Sequence, residues 1–146
     1  VKTKQVSGPG AATYVAVLGE GEEAITQLSS FAVQRSLSAG QVTGVGAFER
    51  ATVGWFDRAA KDYRRIEIAE QCEVLSLLGD IAMASGKPQL HVHAVLGLAD
   101  GSTRGGHLLE GHVWPTLEVI IQEAPAGLRK IYRPEIGLAL IDLGTP

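Results

Sequence analysis

The chain has 146 residues, 45% of them hydrophobic, with 13 Lys and Arg set against 16 Asp and Glu for a net charge of −3. That is the size and composition of one globular domain, able to bury about 70% of its unfolded surface without a metal or disulfide staple. It excludes a disordered chain, and a pI near 5.8 gives no general electrostatic attraction to nucleic acid, where phosphate neutralisation dominates affinity.

In chain order, residues 1–10 are polar and without the apolar stretch of a signal peptide. They are expected to form a loose arm or a first edge strand, with an arm at 1–12 and one domain at 13–146. Residues 13–18 are a short β-prone run, broken by Gly19 and Gly21. Residues 22–39 carry a helical rhythm through Ile25, Leu28, Phe31, Ala32 and Arg35. Glu22 and Glu23 in the first turn suit the helix dipole, and Gly40 is placed to terminate the helix.

After Gly40 the apolar period changes to two. Strands are expected at 42–49, 51–57, 63–69, 73–83, 89–98, 103–112, 116–123 and 136–143. Lys87-Pro88 and Trp114-Pro115 are placed at strand boundaries. One helix and many strands without βαβ alternation predict an α+β fold with a largely antiparallel sheet. Gly44-Val45-Gly46 lacks the third glycine and following helix of a phosphate loop, so strand glycines are the better reading.

No apolar run approaches the roughly 18 residues of a membrane-spanning helix, so no membrane partner is expected. Cys72 is the only cysteine. It fits a reducing, cytoplasmic compartment, and its acidic neighbours Glu70 and Glu73 oppose a nucleophilic thiolate. Two short basic groups, Lys61 with Arg64 and Arg65, and Arg129, Lys130 and Arg133, are read as solvated surface.

The chemistry concentrates in Leu90-His91-Val92-His93-Ala94, Asp100-Gly101 and Gly105-Gly106-His107. Three of the four histidines fall within this stretch. On a strand, His91 and His93 share one face, roughly 7 Å apart at the backbone. With His107 they would supply the three nitrogens of a zinc-type centre with an open position. Register decides it. A two-residue turn at Asp100-Gly101 sets His107 opposite Ala94, facing away. A three-residue loop, or a bulge at Gly105-Gly106, sets it opposite His93. The alternative role for the three is a hydrogen-bonded structural network. Glu73 and Glu118, each inside an apolar strand, are the expected nearby carboxylates, and Arg104 is a weaker candidate for holding an anion. His112 is left outside the site.

These segments carry a resemblance. Glu73-Val74-Leu75-Ser76-Leu77-Leu78-Gly79, the histidine segment, Asp100-Gly101, Gly105-Gly106-His107-Leu108, Gly111 and Thr116-Leu117-Glu118-Val119 resemble the plants-and-prokaryotes-conserved (PPC) domain over about residues 13–143. The resemblance implies an α+β fold with a large antiparallel sheet, a homotrimer, and a DNA-binding label. In plant members an AT-hook precedes the domain, and nothing in these 146 residues resembles its Arg-Gly-Arg-Pro element. DNA binding is therefore expected by kinship alone. The sequence supports a homotrimeric assembly or binding module. The alternative is a small metal-dependent enzyme or small-molecule sensor built on a divalent metal such as zinc.

Overall fold

In the computed structural model, residues 1–5 and 11–144 are described. Nine strands and one helix follow in chain order: β1 (Lys2–Gln5), β2 (Thr13–Gly19), α1 (Ala24–Gln34), β3 (Ala39–Asp57), β4 (Asp62–Ile68), β5 (Cys72–Ala84), β6 (Lys87–Gly97), β7 (Thr103–Glu123), β8 (Arg129–Arg133) and β9 (Leu138–Asp142). Every pairing between these strands is antiparallel except the short β5–β8 contact at Met83 and Arg129. The alternation after residue 40 is thus a mainly antiparallel sheet, as expected. Residues 2–5 pair with β2 as an edge strand.

Two strands are longer than expected. The runs at 42–49 and 51–57 fuse into β3, and those at 103–112 and 116–123 into β7. Irregular registers between the two let them bend without ending. Trp114-Pro115, expected at a boundary, lies inside β7 as a cis peptide. β7 reaches β3, β2 and β6, and β5 joins β3 to β6. The pairings therefore close a circuit β3–β5–β6–β7.

The helix is shorter than the predicted 22–39. Glu23 is its N-cap: its carboxylate accepts from the Ile25 and Thr26 backbone N–H groups at 3.0 and 2.7 Å. It also accepts from Gly111 N–H at 3.1 Å, which ties the helix start to β7. Burial pushes this carboxyl up, but these donors and the Thr26 hydroxyl outweigh it and hold it below its ordinary range. The helix ends at Arg35, and Ser36 takes a left-handed φ of 52°. Gly40 is not the terminator, because it already pairs with Ile81 in β3.

Ala24, Leu28, Phe31 and Ala32 form the buried stripe of α1. Full burial of Leu28 and Phe31 contributes about 1.5–3 kcal/mol each. They join Leu77, Val92, Ala94, Leu96 and Leu108 in one core. Along β6 the buried residues Val92, Ala94 and Leu96 alternate with His91, His93 and Val95. The histidines therefore stand on the face away from the core.

Candidate metal centre

The loop between β6 and β7 fixes the register. Leu98 N–H donates to Ser102 O at 2.9 Å, leaving Ala99, Asp100 and Gly101 as a three-residue loop. Gly101 takes φ +82°, the left-handed position such a loop requires. Asp100 Oδ1 accepts from Ser102 N–H at 2.8 Å and braces the turn. His93 then pairs directly with His107. Of the two registers open in the sequence, this is the convergent one, and the loop produces it; the β6–β7 ladder carries no bulge.

The three rings meet. Their centroids lie 5.1 Å (His91–His93), 5.2 Å (His91–His107) and 5.4 Å (His93–His107) apart. One nitrogen from each falls within 4.8 Å of the others, and His91 Nε2 and His93 Nε2 are 3.2 Å apart. Two nitrogens on a tetrahedral zinc, at Zn–N of 2.0–2.1 Å, would be about 3.3 Å apart. His107 Nδ1 is buried without a hydrogen-bond partner among the described residues. A buried polar atom of that kind calls for a ligand or ion. The donor set therefore fits a divalent metal of the zinc type.

The surroundings of His93 and His107 favour the neutral imidazole, the form a metal ligand must take. Burial holds the His107 imidazole down at about 4, helped by the charges of His91, His93 and Lys130. Burial, then the charge of His91, also lowers His93. Tyr63 stacks on His107 with ring centroids 4.7 Å apart and an 18° tilt. It reaches there across Gly54, where a Cβ would come within 2.7 Å of the Tyr63 ring. The glycine is what lets the ring lie flat on that row of the sheet.

The carboxylate at the site is Asp80, not Glu73 or Glu118. Asp80 pairs with His91 across β5–β6, and its Oδ2 lies 3.3 Å from His91 Nδ1. Its Oδ1 lies 2.8 Å from Lys130 Nζ, whose side chain is only 4% exposed. Glu73 is exposed and pairs with Gly97 and Ala47, at the other end of β5. Glu118 is exposed and pairs with Val17 and Val45. Arg104 is exposed, and its guanidinium donates to Thr103 O at 3.2 Å. Period-two alternation put both glutamates outside, where a carboxylate needs no special partner.

Lys130 also departs from the solvated surface expected of its basic group. It is buried on β8, while Arg129 and Arg133 flank it on Asp142 of β9 at 2.9 and 3.5 Å. The Lys61 ammonium donates to Pro134 O at 2.9 Å, fastening the β8–β9 turn near the β3–β4 hairpin. Between β9 and the histidines lies a cleft of about 180 Å³, whose lining includes Tyr63, His91, His107, Lys130, Leu138 and Leu140. His112 stays outside, 2.6 Å from Glu110 Oε1. Burial raises the Cys72 thiol, and Glu73 and Glu70 add to it, so it stays an unreactive core residue.

A family model described as the Plants and Prokaryotes Conserved (PCC) domain matches residues 5–125. The chain belongs to this family. Solved structures of similar proteins agree. A plant- and prokaryote-conserved (PPC) protein from Pyrococcus horikoshii is 27% identical, with a TM-score of 0.85 over 99% of this chain and 97% of its own. A metal-containing protein from Archaeoglobus fulgidus is 27% identical, with a TM-score of 0.82 over 97% of this chain and 98% of its own. A candidate DNA-binding protein from Ralstonia eutropha is 26% identical, with a TM-score of 0.85 over 97% of this chain and 96% of its own. Among curated proteins, a bifunctional GlmU protein from Synechococcus is 31% identical over 71% of this chain, and the PPC chain spans 16% of its length.

Proposed function

We propose that this PPC protein is a self-assembling binding module that holds a divalent metal such as zinc on His91, His93 and His107. The observation that carries the reading is the convergence of one nitrogen from each imidazole within 4.8 Å, beside the separate fact that His107 Nδ1 is buried and unpartnered among the described residues. The metal-containing relative from Archaeoglobus supports it. Asp80 accepts from His91 Nδ1, which presents Nε2 inward, and Lys130 holds Asp80 in turn. Tyr63 fixes the plane of His107. Three protein nitrogens leave a position for water or a small ligand, the arrangement a sensor or a hydrolytic centre needs.

Assembly is supported by the outer sheet face. Val15, Ile120, Thr43, Leu78, His93 and His107 form one cross-strand row. Leu78 is 56% exposed and Ile120 50%, with Val45, Leu75 and Val95 also exposed. An uncovered apolar face beside a site is the mark of an interface, and a homotrimer is the assembly we assign to it. Direct DNA binding is the weaker reading. It has the name of the Ralstonia relative in its favour and the net charge of −3 against it.

Zinc titrated calorimetrically into chelator-treated protein at pH 7.5 tests the proposal. One equivalent is expected to bind the wild type and to bind His91→Ala at least about tenfold more weakly. Equal binding by both would remove these histidines from the site.

A further inference from the structure

We propose that the cleft lined by His91 and His107 takes a short-chain monocarboxylate, with its carboxylate toward the metal position and its hydrocarbon part against β9. This rests on the metal reading above. The first observation is charge. A divalent ion on three neutral imidazoles has no carboxylate among its ligands, and the nearby Asp80 is spent on Lys130 at 2.8 Å. Two positive charges are left in a half-buried site, where an anion is the natural complement.

The second observation is the shape and lining of the cleft. Its volume of about 180 Å³ lies below the roughly 300–1,000 Å³ of drug-sized sites, so the ligand has only a few carbons. The lining joins His91, His107 and Lys130 to the apolar Leu90, Leu138 and Leu140. An ammonium has three donors, and Asp80 is the partner Lys130 has among the described residues. It can therefore also donate to a carboxylate oxygen. No arginine lines the cleft, so a phosphate would find one shared lysine where it normally needs several donors. A lining that combines these polar groups with apolar leucines selects a monocarboxylate with a tail.

The test uses full-length protein loaded with cobalt(II), its metal content measured first. Acetate, butyrate, butylamine and inorganic phosphate are then titrated while the visible cobalt bands are followed. Butyrate is expected to shift the bands and to bind about tenfold tighter than acetate, as two buried methylenes imply. Butylamine is expected to do nothing. Ala139→Trp, which fills the cleft from β9, is expected to keep its cobalt and lose butyrate. Protein that takes up no cobalt overturns the metal reading and this inference with it. Cobalt-loaded wild type that ignores butyrate, binds acetate equally well, or prefers phosphate overturns this inference alone. The wild-type chain-length comparison decides the matter even if Ala139→Trp fails to fold.

Discussion

His107 shows how burial changes a residue's chemistry. Its imidazole is held at about 4 by burial first and by His91, His93 and Lys130 after that. In the unfolded chain a histidine takes its proton near 6.5. Between these values the unfolded state binds a proton that the folded state refuses, so folded stability falls as pH drops from about 6.5 to about 4. His93, lowered by burial and His91, acts in the same direction. Urea unfolding of metal-free protein at several pH values checks this. His107→Phe, which keeps a ring against Tyr63 but cannot titrate, is expected to flatten much of the slope. The same depressed affinity for protons keeps His93 and His107 available to a metal into mildly acidic solution.

Asp80 is the second residue whose loss has a definite sign. Asp80→Asn removes the charge that faces the buried Lys130 and leaves one acceptor oxygen for the two donors of Lys130 and His91, the other position becoming an amide donor. Stability is expected to fall by about 1–3 kcal/mol, measured by denaturant unfolding. Zinc affinity is expected to fall about 10–100-fold. A variant with unchanged affinity would show that His91 needs no such orienter.

At the scale of the elements, the β6–β7 loop decides which face His107 occupies. Deleting Arg104 keeps the three-residue loop but shortens β7 by one residue ahead of His107, which shifts the ladder beyond it by one. His107 would then stand opposite Ala94 on the core face. The deletion is expected to abolish metal binding, read as metal content after purification. Deleting Gly86 from the distant β5–β6 turn is not equivalent, because it shifts β5 against β6 and leaves the His93–His107 pairing to the other loop.

This loop also marks how far the sequence could be read. The i, i+2 spacing placed His91 and His93 together, since strand periodicity is local. His107 remained open between two registers because Asp100-Gly101 is compatible with both loop lengths. Asp80 was visible only as the end of an apolar run, and its pairing with His91 is a property of the β5–β6 ladder. Lys130 looked like surface because two arginines flank it at close spacing. Its burial arises from the β8–β9 hairpin lying against β5, which no local pattern records. The helix was overextended because Leu37 and Ala39 continue the apolar composition of α1. Both are buried, but after the left-handed Ser36 has ended the helix.

At the scale of the whole molecule, no helix among the described residues is long and apolar enough to cross a membrane. The exposed apolar row from Ile120 to Leu78 is the surface that assembly would cover. Ile120→Lys, which sits away from the histidines, is expected to yield monomers by light scattering while leaving the fold intact. A trimer that survives it would place the interface elsewhere. With a net charge of −3, DNA affinity is expected to be weak, sequence-tolerant and lost as salt rises, by fluorescence anisotropy at two salt concentrations.

The metal centre is tested most directly by elemental analysis of untagged wild type and His93→Ala, purified side by side without chelator. About one divalent ion per chain is expected in the wild type, and little in the variant, with both folded because a 146-residue core does not depend on the site. Folded wild type without metal that also fails to take up zinc when it is supplied, or a variant that keeps its full share, would contradict the three-histidine site.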